Sequence, residues 1–497
     1  MNKSKILHEF TKINRILRRY KSKQHWASKK LFPKDRALEQ FDDFYGNVYG
    51  NDWKSIRVAL LSEHKYCAVV NNFGDTEKTI QNLENNGAIN VRALYEVNRQ
   101  NYLEKSSEKV EKIYKLDNTI DKFKDAKIQK DFENIYGENE INVRDLKSEE
   151  PSTAKVEEPE IKRDLSLQKS LDSAQIDYSR IINPDVGLSG SALYEYIPAT
   201  KLKGMEDWIL ESDHYRYYET SSEFSVKIVK ENKLNFPEHL HIYSYDRGNI
   251  SHFPSVRKCS TGVLDKYLLD GGSILPVLAL DLQPKDHVLD MCAAPGGKSL
   301  MIMQSLLTDY LVCNDLQESR SRRVINVFKQ YLYDYDRIIN NKLVITNGDA
   351  RGITESNVFD KILVDVPCTT DRHVVMENDN NIFKPTRIKE RLRLPELQAA
   401  LLTNALKLVK PGGTVVYSTC SLSPIQNDGV VHMALKKIWQ ETNFELTVSD
   451  LSEALKPMNC LFKINDRIGL KYGHIVVPFL PNNFGPMNFC KINKNIT

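Results

Sequence analysis

The sequence predicts an α/β fold of the Rossmann-like, doubly wound type. Three observations support this prediction. A short apolar run leads into a glycine turn and then into an apolar helical segment. Further apolar runs downstream each end in a polar residue, and helical segments separate several of them. The strands of such sheets are parallel and bind ligands at their carboxyl ends, so the fold also predicts where a site lies.

The first predicted unit is the stretch HVLDMCAAPGGKS, in which residues 287–290 form a strand and residues from 299 form a helix. Gly296 and Gly297 in the turn let the backbone approach a ligand without a clash from a Cβ atom. The N-terminus of the following helix favours an anion such as a carboxylate or a phosphate. A purely structural turn is an equally good interpretation of the two glycines taken alone.

Further apolar runs complete the predicted sheet. The predicted strands are residues 287–290, 310–313, 343–345, 361–364 and 414–417. The helices predicted between them include 322–332 and 397–409. Because the carboxyl ends of parallel strands meet at one edge of a sheet, we expect Asp315, Asp349, Asp365 and Cys420 along that edge. Two final strands, 474–478 and 487–492, are expected to pair antiparallel.

Composition divides the chain into five ranges. These are a mitochondrial presequence (1–33), an N-terminal helical segment (34–100), a charged flexible linker (101–174), an N-terminal extension (175–257) and the α/β domain (258–497). The first thirty residues hold ten Lys or Arg and one acid, Glu9, with apolar residues at helical spacing. A basic surface helix or an RNA-contacting arm is the alternative. In residues 101–170, 31 side chains are charged, with both signs mixed, which is typical of a solvated linker.

Aromatic residues before the α/β domain are open to two interpretations. Tyr45, Tyr49 and Trp53 are four residues apart, so they share one helix face, and we expect them to pack in a core rather than to stack on bases. The range 175–257 is strand-like and ends in the basic stretch FPSVRKCSTG. It is either a small module that grips a polynucleotide or a packing extension of the α/β domain.

Several classes of protein are disfavoured by the composition. No apolar run approaches the length of about 18 residues that a membrane span needs, and no membrane association is expected. The net charge is only +3, so bulk charge does not argue for nucleic-acid binding. The eight cysteines contain no CxxC pair, and no metal site is expected. The simplest interpretation is that all eight cysteines are reduced thiols.

The acids at the strand ends indicate the kind of ligand. Asp315 follows the second strand, where a carboxylate accepts hydrogen bonds from a ribose diol. The glycine turn is not GxGxxG, which fits a ligand without a pyrophosphate. S-adenosylmethionine has a ribose, an adenine and a carboxylate but no phosphate. Its carboxylate is expected near Gly296 and Gly297, with help from Lys298, and its adenine amino group near Asp349. Taken singly, each acid also fits a helix N-cap.

Two cysteines stand at neighbouring strand ends beside this site. A single buried cysteine is usually a small apolar residue, but Cys368 and Cys420 together fit methylation of a pyrimidine at carbon-5. A thiolate that adds to carbon-6 makes carbon-5 nucleophilic toward a methyl donor. Asp365 is expected to hold the base and to assist protonation of its ring nitrogen. The attacking thiol needs a lowered pKa, which the cationic sulfonium would favour.

Six motifs then identify a family. They are DMCAAPGGK, NDLQESR, NGDA, DVPCTTDR, RLPELQAALLTNALKLVKPGG and VYSTCSLSPIQND. With them the chain resembles the Nol/Nop/Sun family of RNA cytosine-5 methyltransferases, over roughly residues 260–492. The resemblance implies a class I S-adenosylmethionine-dependent methyltransferase with its catalytic domain at 258–497. It implies that Cys420 is the nucleophile and that Cys368 assists product release. It implies cofactor contacts at Gly296, Gly297, Lys298, Asp315, Arg320, Asp349 and Asp365.

Further stretches resemble the mitochondrial rRNA methyltransferases within this family. They are PCTTDRH, where most members continue PC with Ser-Gly, and YGNVYG and NFGPMNFCKI nearer the two ends of the chain. This implies action on mitochondrial small-subunit rRNA in the matrix, with a mitochondrial transcription termination factor-type partner during ribosome assembly. Ala350 stands where those relatives have glycine, and a backbone contact with the cofactor is expected to survive the change.

A basic surface after Cys368 is predicted to contact RNA, with a solvated helical face as the alternative. Its residues are Arg372, His373, Lys384, Arg387, Lys389, Arg391 and Arg393. An unstacked cytosine in a single-stranded loop suits the chemistry. Two other functions are compatible with the sequence. One is a catalytically idle RNA-binding scaffold, against which the retained pair of cysteines argues. The other is the same chemistry on tRNA or DNA.

Overall fold

The computed structural model describes residues 32–104, 224–339, 341–465 and 469–496. Almost all of the predicted presequence and linker, and the first part of the range 175–257, lie outside the described residues. The residues discussed below, 32–94 and those from 224 onward, belong to one compact unit. Residues 95–104 are helical and belong to a second unit. None of the described helices is long and apolar enough to cross a membrane.

The N-terminal part begins with helices and continues into a small sheet. Helices α1, α2 and α3 span Pro33–Tyr49, Trp53–Leu60 and Thr76–Asn85. Strands β1 and β2 span Tyr66–Val70 and Ile89–Asn90, and after the undescribed stretch come β3 (Lys227–Lys230), β4 (Ile242–Ser244) and β5 (Lys266–Asp270). The order β2-β4-β1-β5 makes an antiparallel sheet. The range 34–100, predicted to be helical, therefore also supplies two strands.

The second part alternates strands and helices. Its strands are β6 (Asp286–Asp290), β7 (Thr308–Asp315), β8 (Leu343–Asn347), β9 (Phe359–Asp365), β10 (Val409–Thr419), β11 (Leu446–Asp450), β12 (His474–Val476) and β13 (Met487–Lys494). Its helices are α4 (Ile274–Ala279), α5 (Gly297–Gln304), α6 (Glu318–Tyr331), α7 (Tyr335–Ile338), α8 (Asp371–Met376), α9 (Ile388–Leu392), α10 (Leu394–Leu408), α11 (Val430–Glu441) and α12 (Ser452–Leu455).

The large sheet has nine strands in the described part of the chain. Eight of them follow the order β3-β11-β13-β10-β9-β6-β7-β8, and β12 pairs with β13. Strands β10, β9, β6, β7 and β8 are parallel, whereas β13 runs antiparallel to β10, β11 and β12. The Rossmann-like α/β fold is confirmed, as are the seven strands predicted from apolar runs and the antiparallel finish.

Strands β3 and β4 lie in the range 175–257, which is predicted to be strand-like. Strands β1, β2, β5 and β11 were not predicted. β11 has the sequence LTVSD, which contains no long apolar run, and it pairs with the exposed edge strand β3. Strand β10 begins earlier than predicted. Val409 already pairs with Phe359, and the register of the pairing then shifts between Val409 and Thr414.

The main core lies between the parallel strands and helices α10 and α11. Leu289, Ile362 and Val415 come from the sheet, and Leu402 and Val431 come from the two helices. All five side chains are fully buried. Burial on this scale stabilises the fold by roughly 1.5–3 kcal/mol per large apolar side chain. The core therefore holds the carboxyl ends of the central strands in fixed positions relative to one another.

A second core joins the N-terminal helices to the α/β domain. Tyr45, Tyr49 and Trp53 are almost fully buried, and they pack in a cluster with Val375 of α8 and with Leu422. The prediction that these aromatic residues are packing residues is confirmed. Helix α1 is consequently fixed against the two loops that follow strands β9 and β10.

Candidate active site

The glycine turn after β6 is shaped by two different requirements. Gly296 precedes α5 with a φ of +111°, a conformation that L side chains rarely adopt. A Cβ atom on Gly297 would lie 2.9 Å from side-chain atoms of Tyr267 and Leu269 in β5. Glycine at 297 is therefore needed for the packing of the turn against β5. The backbone N–H groups at the start of α5 remain suited to an anion.

Lys298 and Asp365 form an ion pair at the centre of the site. The Lys298 Nζ lies 2.7 Å from Asp365 Oδ2, and the Ser418 hydroxyl donates to Asp365 Oδ1 at 2.7 Å. Burial acts to lower the pKa of Lys298, but the Asp365 carboxylate outweighs it and the pKa of Lys298 is raised. Lys298 is thus held as a cation, and Asp365, at the end of β9, is anchored by Ser418 of β10 and by Lys298 of α5.

Asp290, at the end of β6, is buried beside this pair. It accepts a hydrogen bond of 2.6 Å from the Ser299 hydroxyl. Burial, with a contribution from the nearby Asp365 carboxylate, raises the pKa of Asp290 to about 7. Its Oδ1 atom has no hydrogen-bond partner among the described residues. Such an atom is costly to bury unless a donor reaches it, so Asp290 is suited to receive a donor from a bound molecule.

Asp315 and Arg320 lie after the next strand. Asp315 is buried; its Oδ1 accepts from the backbone N–H of Gln317 at 3.1 Å, and its Oδ2 lies 3.4 Å from Arg320 Nη2. Arg320 also donates to the carbonyl oxygen of Ala294 in the glycine turn at 2.9 Å. A carboxylate accepts about four hydrogen bonds, so Asp315 retains capacity for a diol.

Asp349 differs from the other strand-end acids. It is exposed, and it accepts hydrogen bonds from the backbone and guanidinium of Arg351, the shortest at 2.6 Å. The hydrogen bond from the Arg351 side chain lowers the pKa of Asp349. The neighbouring Ala350 is buried, and its carbonyl oxygen accepts from Asn404 at 2.8 Å. If Asp349 accepts a hydrogen bond from an adenine amino group, as predicted, it does so while it is also ion-paired with Arg351.

The two cysteines face each other across the ends of β9 and β10. Their sulfur atoms are 3.1 Å apart, and both are free thiols. The hydrogen bond with Cys368 and burial raise the pKa of Cys420 well above its ordinary value, whereas Lys298 acts to lower it. The expectation of a lowered pKa is therefore not met by the protein groups alone. Lys298 is the cation placed to favour the Cys420 thiolate.

The structure thus gathers the predicted residues at one edge of the sheet, as expected from the strand order. Asp315, Asp365 and Cys420 end or directly follow β7, β9 and β10. Asp349 follows β8 after a further residue. The roles assigned to these residues remain predictions. Sequence reasoning missed Asp371, a fully buried acid three residues after Cys368. Its position inside DVPCTTDR was the only available signal.

The predicted RNA-contacting surface needs one correction. Arg372 is not part of it, because its guanidinium donates to the carbonyl oxygens of Ala59, Ser62 and Gly485 and to Asn483 Oδ1, at 2.8–3.1 Å. Burial lowers the pKa of Arg372 to about 10. A short helix such as α8 can turn an arginine inward, and no sequence pattern distinguishes such an arginine from one that faces the solvent.

Two other members of the basic surface are also engaged by the protein. Arg387 forms a bidentate ion pair with Glu390, at 2.6 and 2.7 Å. Arg391 donates to Gln40 and lies over the Phe383 ring, 4.4 Å from its centroid. An exposed ion pair contributes little stability, so Arg387 is able to exchange Glu390 for a phosphate. The RNA-contacting role of this surface, without Arg372, stays a prediction.

We expect Arg372→Ala to reduce the free energy of unfolding by about 2–4 kcal/mol, because buried acceptors lose their donor. Denaturant unfolding measures this change. Arg323→Ala, which removes an exposed arginine on α6, is the matched control and should be neutral. RNA affinity of the folded Arg372→Ala protein should stay unchanged. If the Arg372→Ala protein were as stable as wild type and bound RNA more weakly, Arg372 would belong to the RNA-contacting surface after all.

The residues present fit S-adenosylmethionine. The helix N-terminus at Gly297 suits its carboxylate, the buried Asp290 Oδ1 suits its ammonium group, and Asp315 suits its ribose diol. The parallel sheet with this set of groups at its carboxyl edge defines a class I S-adenosylmethionine-dependent methyltransferase.

Comparisons with known proteins give the family. Residues 277–460 match the sequence profile described as 16S rRNA methyltransferase RsmB/F. The chain is 35% identical over 487 residues to the 5-cytosine rRNA methyltransferase NSUN4 of Xenopus tropicalis, covering 96% of this chain and 94% of the relative. It is 33% identical to the 5-cytosine rRNA methyltransferase nsun-4 of Caenorhabditis elegans, covering 98% and 97%. The chain belongs to the Nol/Nop/Sun family of RNA cytosine-5 methyltransferases.

A relative that is named for a different substrate matches less of the chain. The mitochondrial tRNA (cytosine(34)-C(5))-methyltransferase of Mus musculus is 32% identical over 291 residues, covering 54% of this chain and 80% of the relative. The chain is thus an S-adenosylmethionine-dependent RNA cytosine-5 methyltransferase, and its particular RNA is a separate question.

Proposed function

We propose that this enzyme methylates carbon-5 of a cytosine in mitochondrial small-subunit rRNA through a covalent bond between Cys420 and the base. The observation that carries the proposal is the pair of thiols 3.1 Å apart beside the Lys298–Asp365 ion pair. The rRNA substrate is supported by relatives named as rRNA methyltransferases, which match nearly the whole chain, whereas the tRNA methyltransferase matches 54% of it.

The cysteines and Asp365 perform the chemistry on the base. The Cys420 thiolate adds to carbon-6 of the cytosine, which places negative charge on the ring. Protonation of the ring nitrogen, which Asp365 assists, neutralises this charge. S-adenosylmethionine supplies the electrophilic methyl group to carbon-5. The carbon-5 proton then passes to solvent water, and the electrons of that bond expel the Cys420 thiolate as the bond between carbon-6 and sulfur breaks. The ring nitrogen gives up its proton again, which leaves neutral 5-methylcytosine. Cys368, whose sulfur is already within 3.1 Å, assists this release.

The donor site proposed for S-adenosylmethionine surrounds the glycine turn. It comprises Gly296, Gly297, Lys298, Asp315, Arg320, Asp349, Ala350 and Asp365. Gly296 and Gly297 present backbone N–H groups to the carboxylate, and Asp315 receives the ribose hydroxyls. Arg320 supports the site indirectly, because it joins Asp315 to the carbonyl oxygen of Ala294. Lys298 and Asp365 connect the donor site to the cytosine.

The proposal extends to the place of action. The basic, acid-poor first thirty residues support import into the mitochondrial matrix. There the enzyme acts during ribosome assembly, in a complex with a mitochondrial transcription termination factor-type protein that helps to select the RNA. The weak net charge of +3 supports a need for such a partner, since bulk charge alone gives little attraction to RNA.

Asp315→Ala should weaken binding of S-adenosylmethionine by about 2–4 kcal/mol, because hydrogen bonds to a carboxylate are lost. Isothermal titration calorimetry with the full chain measures the affinity. Asp309→Ala is the matched control, since Asp309 is a largely exposed acid on the same strand. Equal affinity of the Asp315→Ala variant and the wild-type protein would place Asp315 outside the donor site.

Bisulfite sequencing of mitochondrial RNA after depletion of the protein tests substrate and compartment together. We expect one methylated cytosine in the small-subunit rRNA to be lost, and to return when the wild-type protein is supplied again. If methylation were lost at a tRNA cytosine while rRNA methylation stayed intact, the substrate would be that tRNA and not the rRNA. If no site changed, the scaffold alternative would take the place of the enzymatic proposal.

A further inference from the structure

Asp371 lies between the two cysteine-bearing loops. It is the first residue of α8 and is fully buried. Its backbone N–H donates to the carbonyl oxygen of Cys420 at 3.3 Å. It also follows Cys368 by three residues in the same loop. The main chain of Asp371 therefore already connects the loop after β9 to the loop after β10.

The carboxylate of Asp371 strengthens this connection. Oδ1 accepts a short hydrogen bond from the hydroxyl of Thr369, the residue after Cys368. Oδ2 accepts from the backbone N–H of Leu422 at 2.7 Å, and the hydroxyl of Ser421 lies 3.3 Å from both oxygens. Ser421 directly follows Cys420. One carboxylate thus binds the neighbours of both cysteines.

A third element fixes the carboxylate itself. The hydroxyl of Tyr45, in the middle of α1, donates to Asp371 Oδ2 at 2.7 Å. Tyr49, one turn later, donates to the carbonyl oxygen of Leu422 at 2.8 Å. The Tyr45 ring makes edge contacts with those of Tyr49 and Trp53, so its hydroxyl has little freedom to move.

We propose that Asp371 is a positioning residue that sets the separation of the Cys368 and Cys420 thiols, and that Tyr45 of α1 holds Asp371 in place. The inference rests on the proposed function, in which the two thiols act in consecutive steps on one carbon–sulfur bond. Both must then reach the same atom, and a displacement of about 1 Å is enough to cost about a hundredfold in rate.

Packing alone does not account for a carboxylate at this position. A buried carboxylate is expensive unless donors satisfy it, and apolar side chains of similar volume serve a core at lower cost. The groups facing Asp371 are hydroxyls and a backbone N–H. An arrangement of this kind stabilises one relative position of the loops, because the donors come from three segments of the chain: the loop after β9, the loop after β10 and helix α1.

The test compares Asp371→Asn and Tyr45→Phe with wild type, using the full-length chain and its RNA. Asparagine keeps the shape of the Asp371 side chain but places an NH₂ group, which cannot accept a hydrogen bond, opposite the donors around it. Phenylalanine removes only the hydroxyl of Tyr45. Asp286→Asn is the matched control. Asp286 is also buried and accepts from a backbone N–H at 2.7 Å, but it lies at the opposite end of the central strands. The readouts are melting temperature, cofactor affinity, single-turnover methylation rate and the fraction of covalent protein–RNA adduct.

We expect both variants to bind S-adenosylmethionine as wild type does and to lose at least about tenfold in methylation rate. We also expect both to accumulate adduct, because Cys368 no longer meets the bond that it helps to break. A rate loss without adduct, or adduct equally abundant in Asp286→Asn, would overturn the inference. If Asp371→Asn does not fold, Tyr45→Phe decides by the same criteria.

The Cys368→Ala variant distinguishes a failure of the positioning role from a failure of the proposed function. If it accumulates adduct and the Asp371 and Tyr45 variants do not, the positioning role is wrong while the proposed function stands. If Cys368→Ala itself forms no adduct, the release role in the proposed function is wrong.

Discussion

Replacing Cys420 with alanine should abolish methyl transfer, a loss of at least about a thousandfold in rate. Without the thiolate, carbon-5 of cytosine remains too weak a nucleophile to take the methyl group. Cofactor affinity should be unchanged, because the donor site proposed here is built from the glycine turn and the strand-end acids. Incorporation of labelled methyl groups into RNA, together with calorimetry for the cofactor, measures both quantities.

Cys460→Ala provides the control for the loss of a thiol. Cys460 is partly buried, and its sulfur contacts the carbonyl oxygen of Pro457, in the short helical turn 456–460. This variant should methylate RNA at the wild-type rate. Full activity of Cys420→Ala would contradict the assignment of the nucleophile.

Replacing Cys368 with alanine should trap the enzyme on its RNA. The Cys420 thiol still adds to the base, but the group that assists release is missing, so the bond between sulfur and carbon-6 persists. The expected product is a protein–RNA species that survives denaturing electrophoresis and disappears after RNase digestion. Multiple turnover should stop, although one methyl group per enzyme is still transferred.

The double variant Cys368→Ala/Cys420→Ala is the control for this trap, and it should form no adduct. An adduct in the single Cys420→Ala variant would show that the roles of the two cysteines have to be exchanged. The structure makes this comparison informative, because the sulfur atoms are only 3.1 Å apart and either could reach a base held there.

The strand-end positions were predictable from sequence because a parallel sheet places them by a simple rule. Asp365 follows a continuous apolar strand, and the observed β9 ends at that residue. What the sequence could not show depends on contacts between distant segments. Examples are the inward turn of Arg372, the hydrogen bond from Tyr45 to Asp371 and the raised pKa of Cys420. All three arise from neighbours that the fold brings together.

The glycine turn was only partly predictable from the sequence. Its position before a helix was predicted, and so was the suitability of two glycines for a close approach. The partner in the close approach of Gly297 is strand β5, whose side chains of Tyr267 and Leu269 leave no room for a Cβ atom. Strand β5 belongs to the small sheet, which pairs residues 66–70 with 266–270, and no local pattern reveals such pairing.

The hydrogen bond between Tyr45 and Asp371 joins residues 326 positions apart in the chain. Closing a loop of that length costs entropy before the contact forms, so such contacts arise late in folding. On the positioning role proposed for Asp371 and Tyr45, the two thiols become aligned only when α1 docks onto loops made much later during synthesis. A chain that met RNA before this step would be expected to hold it as a covalent adduct, as the Tyr45→Phe variant is.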